Sequence, residues 1–194
     1  TEISQEEMVH YLKIGVKEQK IIPVLTGSVV KQVGISEFID FILKYLPSSE
    51  EMPPLKVVNA KGEEQEIYRN PEQPLTGIVS KTVFDPFAGK MSYVRVYSGR
   101  LKTNSQFLNV TKEQKERVGQ LLRIQGKKQE PVAEALPGEI VGIAKLSASQ
   151  ALDVFCEPNT SLMLKVGKMP EGAVSYSIKP KVKGTEDKLG NALG

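Results

Sequence analysis

The residues best equipped for chemistry in this sequence are basic. Lys112 to Lys128 (KEQKERVGQLLRIQGKK) holds six Lys or Arg and two Glu, the densest positive stretch of the chain. Lys112, Lys115, Arg117, Arg123, Lys127 and Lys128 are suited to holding phosphate oxygens, the contact that supplies most nucleic-acid affinity. Aromatic residues are sparse in this stretch, which argues against stacking on single-stranded bases. Phosphate and shape recognition of folded RNA fits better. The competing reading is that these charges only solvate a strand and a loop.

Other chemistry is poorly supplied. With one His and one Cys in 194 residues, neither a zinc site nor a Ser-His-Asp triad can be assembled. His10 falls on a helical pattern without a second ligand or base nearby, and Cys156 reads as a small structural residue. Glu50-Glu51 and Glu63-Glu64 read as solvated pairs. No G-x-x-x-x-G-K-[ST] loop is present to cradle a triphosphate. Asp187-Lys-Leu-Gly190 matches a short D-x-x-G pattern, but helix-like residues surround it and coincidence is the better account. No catalytic residue and no metal ligand is assigned.

These residues sit in an ordinary globular composition, 40% hydrophobic and 25% charged. The longest nearly apolar run, Ile21 to Val30, is broken by Pro23, Thr26, Gly27 and Ser28, and is far short of the ~20 residues of a membrane span. A lone cysteine and no charged-then-apolar leader predict a reducing, cytoplasmic setting with no membrane partner. Charge is uneven: residues 1–73 carry a net −4, residues 74–157 a net +4 and residues 158–194 a net +3. The chain opens on Thr1 and stops at Gly194 inside a helical pattern, which predicts a piece of a longer protein.

The elements that must position the basic stretch change character along the chain. Ser4-Gln-Glu-Glu7 is a capping box opening a helix through Met8, Tyr11, Leu12 and Val16. Lys20 to Leu25 reads as a short buried strand. Ser36 is the expected cap of a second helix, with Phe38, Ile39, Ile42, Leu43 and Leu46 on one face and Pro47 as its stop. Residues 49–73 read as a linker with one short strand at Leu55–Val58. From Leu75 the apolar period shortens. Strands are expected at Ile78–Phe84, Met91–Tyr97, Gln106–Val110, Val118–Ile124 and Glu139–Ala144, separated by turn signals such as Ser98-Gly99 and Pro137-Gly138. That spacing predicts an antiparallel barrel or sandwich. Val174 to Val182 alternates like an edge strand, and a helix is expected from Thr185.

The stretch KTVFDPFAGKMSYVRVYSGRLKTNSQFLN, Lys81 to Asn109, resembles the second domain of the bacterial elongation factor G family. Asp85-Pro86, Gly89-Lys90 and Arg95-Val-Tyr-Ser-Gly99 carry the likeness. Arg117 to Leu146 resembles the later strands of that barrel, Val24 to Ser48 the end of the family's GTPase domain, and Ser175 to Gly194 the start of its third domain. The resemblance implies a mainly β chain. On this likeness residues 1–48 would be a GTPase-domain tail, 49–73 a linker, 74–169 the antiparallel β-barrel and 170–194 the truncated start of an α+β, ferredoxin-like domain.

It also implies that Gly27, Ser28 and Val29 occupy the guanine-recognition motif, with Ser28 supplying a backbone N–H. GTP and Mg²⁺ would belong to the parent protein, a ribosome-dependent GTPase driving translocation, and none to this chain, which would not act as an enzyme alone. The implied partners are small-subunit ribosomal RNA, through Lys112, Lys115, Arg117, Lys127 and Lys128, and the parent's GTPase and C-terminal domains. Ser147 to Phe155 (SASQALDVF) departs from the family's common Thr-Gly-Asp-Thr turn. A divergent paralogue, a ribosomal protection protein and a release factor 3-type GTPase therefore stay open. So does a different role, a passive β-barrel spacer between enzymatic domains.

Overall fold

The computed structural model describes residues 3–85, 89–167, 174 and 176–181. The expected strand over Val174–Val182 lies partly outside these residues, and the described ones among them carry no strand pairing. The expected helix from Thr185 lies wholly outside them.

Helix α1 spans Gln5–Lys17 and opens as expected: Glu7 N–H donates to Ser4 Oγ at 3.2 Å, and Ser4 N–H to Glu7 Oε2 at 3.0 Å. Helix α2 spans Ile35–Tyr45, but its N-cap is Gly34 rather than Ser36. Gly34 has φ +78°, a conformation glycine adopts freely, and a Cβ there would lie 3.0 Å from the Thr26 carbonyl oxygen. Ser36 falls inside the first turn and donates to Glu37 Oε2 at 3.0 Å. The expected strand at Lys20–Leu25 is absent, because no described segment offers it a ladder.

Among the described residues thirteen strands follow. They are β1 (Leu55–Val58), β2 (Glu64–Ile67), β3 (Thr76–Asp85), β4 (Gly89–Ser98), β5 (Leu101–Lys102), β6 (Gln106–Asn109), β7 (Gln114–Arg117), β8 (Leu121–Gln125), β9 (Lys128–Val132), β10 (Glu134–Ala135), β11 (Ile140–Ala144), β12 (Val154–Cys156) and β13 (Met163–Leu164). Eight form one antiparallel sheet in the order β7-β6-β12-β3-β4-β11-β8-β9, and β10 pairs with β5 beside it. The antiparallel, mainly β architecture is the expected one. Among the described residues no ladder joins the outer strands β7 and β9.

Alternation explains why this sheet has a core. Val79, Val94, Val96, Leu121, Val141 and Ile143 point to one face and pack with Leu101, Phe107 and Phe155. Gly77 lets this core approach closely: a Cβ there would lie 2.3 Å from the Phe155 ring and 2.5 Å from the Arg95 carbonyl oxygen.

Two readings are corrected here. The strand expected at Val118–Ile124 begins only at Leu121, as β8, and an unexpected strand, β7, precedes it at Gln114–Arg117. Between them Val118 N–H donates to Ser105 O and Asn104 N–H to Gly119 O, so the chain leaves the β6 ladder and joins β11 instead. The segment 49–73 is no bare linker: β1 and β2 pair with each other and β1 with β13. Val57, Ile67 and Leu164 from this small sheet pack with Val154 and Cys156 of β12, a second apolar layer.

Candidate nucleic-acid interface

The basic stretch is divided by the fold. Lys115 and Arg117 lie on β7 and are exposed, while Glu116 between them points inward and is 4% exposed. That inward carboxylate fixes the strand. Glu116 Oε1 accepts from Ala148 N–H at 3.0 Å and Ser149 N–H at 2.6 Å, and Oε2 from Ser147 N–H at 2.9 Å and Ser147 Oγ at 3.2 Å. Burial pushes the Glu116 carboxyl up, but the donors from Ser149, Ser147 and Ala148 outweigh it and hold its pKa below the ordinary value.

Lys112 is not an open phosphate ligand. Its ammonium sits 3.4 Å from Asp153 and donates to the Ala148 carbonyl, inside a network in which Asn109 Nδ2 donates to Ser149 Oγ at 3.1 Å and Asp153 Oδ2 at 2.9 Å. Lys127 lies in the exposed turn between β8 and β9. Lys128 pairs with Glu130 at 2.5 Å, and Arg123 with Glu139 at 2.9 Å. Among the described residues, Lys115, Arg117 and Lys127 have no carboxylate partner. They stand on β7 and beside β9, the two outer strands of the sheet, so one run of sequence becomes two separate groups of charge.

Sequence reasoning missed another group. Arg95 is exposed on β4 with its Cζ 5.5 Å from the centre of the Tyr97 ring, and Arg69, after β2, donates to the Pro53 carbonyl. Burial first, and the charge of Arg95 second, lower the pKa of Arg69. The alternation of Arg95-Val-Tyr97 was a visible signal. The contact of Arg69 with the Pro53 carbonyl, 16 positions away, was not.

The expected guanine motif forms a tight turn. Ser28 N–H donates to Val33 O at 2.9 Å and Val33 N–H returns the bond at 3.0 Å, while Ser28 Oγ accepts from Lys31 N–H. The Ser28 N–H is thus already in use, whereas Gly27 and Val29 flank it in an exposed loop.

The remaining candidates resolve into structural roles. Cys156 is buried and donates to the Thr160 carbonyl at 2.7 Å; burial raises its pKa. The ring of His10 lies edge-on to that of Tyr11 at 5.4 Å. The linker acids are not merely solvated: Glu51 accepts from Ser48 N–H at 2.7 Å and pairs with Lys13, Glu63 accepts from Asn59 Nδ2 at 2.9 Å, and Glu64 pairs with Lys165 at 2.6 Å. Asp187–Gly190 lies outside the described residues. Among the described residues no helix is long and apolar enough to cross a membrane.

Comparison with known proteins places this geometry. The whole chain is similar in fold to a crystal structure of a protein from Thermus thermophilus, with a TM-score of 0.64 and 24% identity. It spans 27% of that protein's length. Residues 74–158, β3 to just past β12, match the family described as elongation factor G domain 2. The eight-stranded sheet and its core are therefore the part of the chain that matches an elongation factor G second domain.

Proposed function

We propose that this chain is the part of a ribosome-dependent translational GTPase that docks on small-subunit ribosomal RNA while the parent drives GTP-dependent translocation. The match of residues 74–158 to the elongation factor G second domain carries this reading. The net +4 over residues 74–157, with Lys115, Arg117 and Lys127 lacking acidic partners among the described residues, supports an RNA-facing role for the same body. Residues 27–29 offer a nucleotide site only one edge, and the Ser28 N–H is occupied, so GTP and Mg²⁺ are assigned to the rest of the parent. The apolar surfaces left open on α1 and α2 fit contact with the parent's other domains.

Co-sedimentation with small ribosomal subunits tests docking. Binding at about 50 mM salt that is lost by about 200 mM is expected of phosphate contacts. No sedimentation at either salt removes docking from this chain. Charge reversal at Lys127 and Lys128 should weaken binding; an unchanged double variant removes that turn from the interface. Calorimetry should find negligible GTP binding, and micromolar binding would overturn that assignment.

One observation favours a paralogue over the housekeeping factor. The Ser147–Phe155 segment departs in sequence from the family's common turn, and its backbone N–H groups are held by Glu116 and Asp153. A parent that supports translocation in a reconstituted system would count against the protection-type and release-type alternatives.

A further inference from the structure

β7 is an outer strand, and among the described residues nothing pairs with its second edge. The ladder shows which groups that edge presents. Val118 N–H donates to Ser105 O, one step past the registered pair Arg117 and Gln106. Across β6, Val110 N–H donates to Val154 O, two residues along from Leu108, which is registered with Cys156. Hydrogen-bonded residues alternate in an antiparallel ladder. The backbone of Leu108 therefore turns to β12, and those of Phe107 and Asn109 turn to β7. Glu116 and Gln114 answer them, so the N–H and C=O of Lys115 and Arg117 point out of the sheet edge.

The side chains of Lys115 and Arg117 share one face of β7, about 7 Å apart along the strand. Neither has a carboxylate partner among the described residues. Glu116 between them is turned inward and spent on the Ser147–Ser149 N–H groups, which fixes the strand that carries the two cations. The other outer strand differs. β9 holds Pro131, which has no N–H to offer, and its Lys128 is paired with Glu130 at 2.5 Å. One edge of the sheet is blunted and the other is open and positive.

We infer that β7 is the docking edge for an extended acidic segment of a protein partner, which adds one more strand to the sheet. This goes beyond the RNA reading and does not rest on it. The edge offers acceptors as well as donors, and a peptide strand answers both, whereas phosphate oxygens answer only the donors. Residues directly opposite in an added strand have Cβ atoms about 5 Å apart, within reach of an ion pair. Carboxylates at alternate positions would meet Lys115 and Arg117. The residue between them falls on the face of Glu116, where a third acid would be repelled, so the edge selects acid, non-acid, acid. Lysine on an edge guards against neutral or basic strands; an acidic strand is the one it admits.

The test titrates the full chain with a short capped peptide carrying glutamate at alternate positions and threonine between, and follows the amide NMR signals. The amides of Lys115 and Arg117 should shift and gain protection from hydrogen exchange. N-methylation of the peptide amides that face β7 should abolish binding. Placing the glutamates side by side should weaken it about tenfold, as should Lys115→Glu combined with Arg117→Glu. That double variant should instead prefer a peptide with lysine in the glutamate positions. Amides unmoved by the alternating peptide overturn the inference. Equal binding of the N-methylated peptide overturns it too, since charge without strand pairing would then suffice. A short RNA duplex that moves these two amides where the peptide does not assigns the edge to RNA and overturns it as well.

Discussion

The helical region, residues 5–46, and the strand region, residues 55–164, are built on different terms. In the first, only Gly15 and Val16 of α1 are buried and nothing in α2 is. Val30, Val24 and Leu43 are 96%, 86% and 78% exposed. In the second, Val79, Val94, Val96, Leu101 and Phe107 are fully enclosed. Both regions have clear local signals, yet local signals set conformation and not burial. A capping box and an apolar stripe make a helix; only a partner for the stripe makes it stable.

The sharpest way to break the comparison is to remove one core ring. Phe155 packs against Phe107 with ring centroids 4.8 Å apart and is 1% exposed. Phe155→Ala should cost about 3–5 kcal/mol of stability by calorimetry or denaturant titration. Leu43→Ala, the matching truncation on α2, should cost at most about 0.5 kcal/mol in the isolated chain. A Leu43 variant as damaging as the Phe155 variant would mean that α2 is packed in solution and that the two regions are alike. Hydrogen exchange gives the same comparison without mutation: amides of β3, β4 and β11 should exchange only on global opening, and those of α2 far faster.

A smaller effect separates the buried polar network from the apolar core. Glu116 satisfies three backbone N–H groups of the Ser147–Ser149 loop. Glu116→Ala leaves them without that acceptor and should cost about 2–4 kcal/mol. Because the folded pKa of Glu116 lies below its unfolded value, its contribution is present above the unfolded pKa and is lost as pH falls through the folded one. Wild-type stability should therefore drop in acid below the ordinary carboxylate range, and Glu116→Gln should flatten that part of the profile. A variant with an unchanged acid limb would show that other carboxylates govern it.

Legibility in the sequence followed the range of the interactions. The capping box at Ser4 and the strands at Ile78–Phe84 and Met91–Tyr97 were readable because their signals are local and periodic. β9 was not, since KQEPV is polar and holds Pro131, which the fold tolerates on an outer strand opposite Leu122. β2 was hidden by EQEI for the same reason: only Ile67 of that strand is buried. The break at Val118–Gln120 depends on hydrogen bonds to Thr103, Asn104 and Ser105, contacts no spacing rule reveals. For the site, Lys115, Arg117 and Lys127 were legible as charges. The withdrawal of Lys112 into an ion pair with Asp153, 41 positions away, was not.

The most local expected effect tests whether the helical region owes its shape to local signals alone. Ser4→Ala removes the hydroxyl that accepts from Glu7 N–H and should cost about 1 kcal/mol of α1 helicity. In a region without a core, that loss has no tertiary packing to oppose it. It should appear as fraying of the first turn, faster exchange at Glu7 and Met8, and lower helical circular dichroism. The melting transition of the strand region should not move, because no core residue of the sheet touches this cap. If Ser4→Ala lowers that transition as well, the two regions unfold as one unit. The exposed stripes of α1 and α2 would then be coupled to the sheet through contacts such as Lys13 with Glu51, 3.2 Å apart.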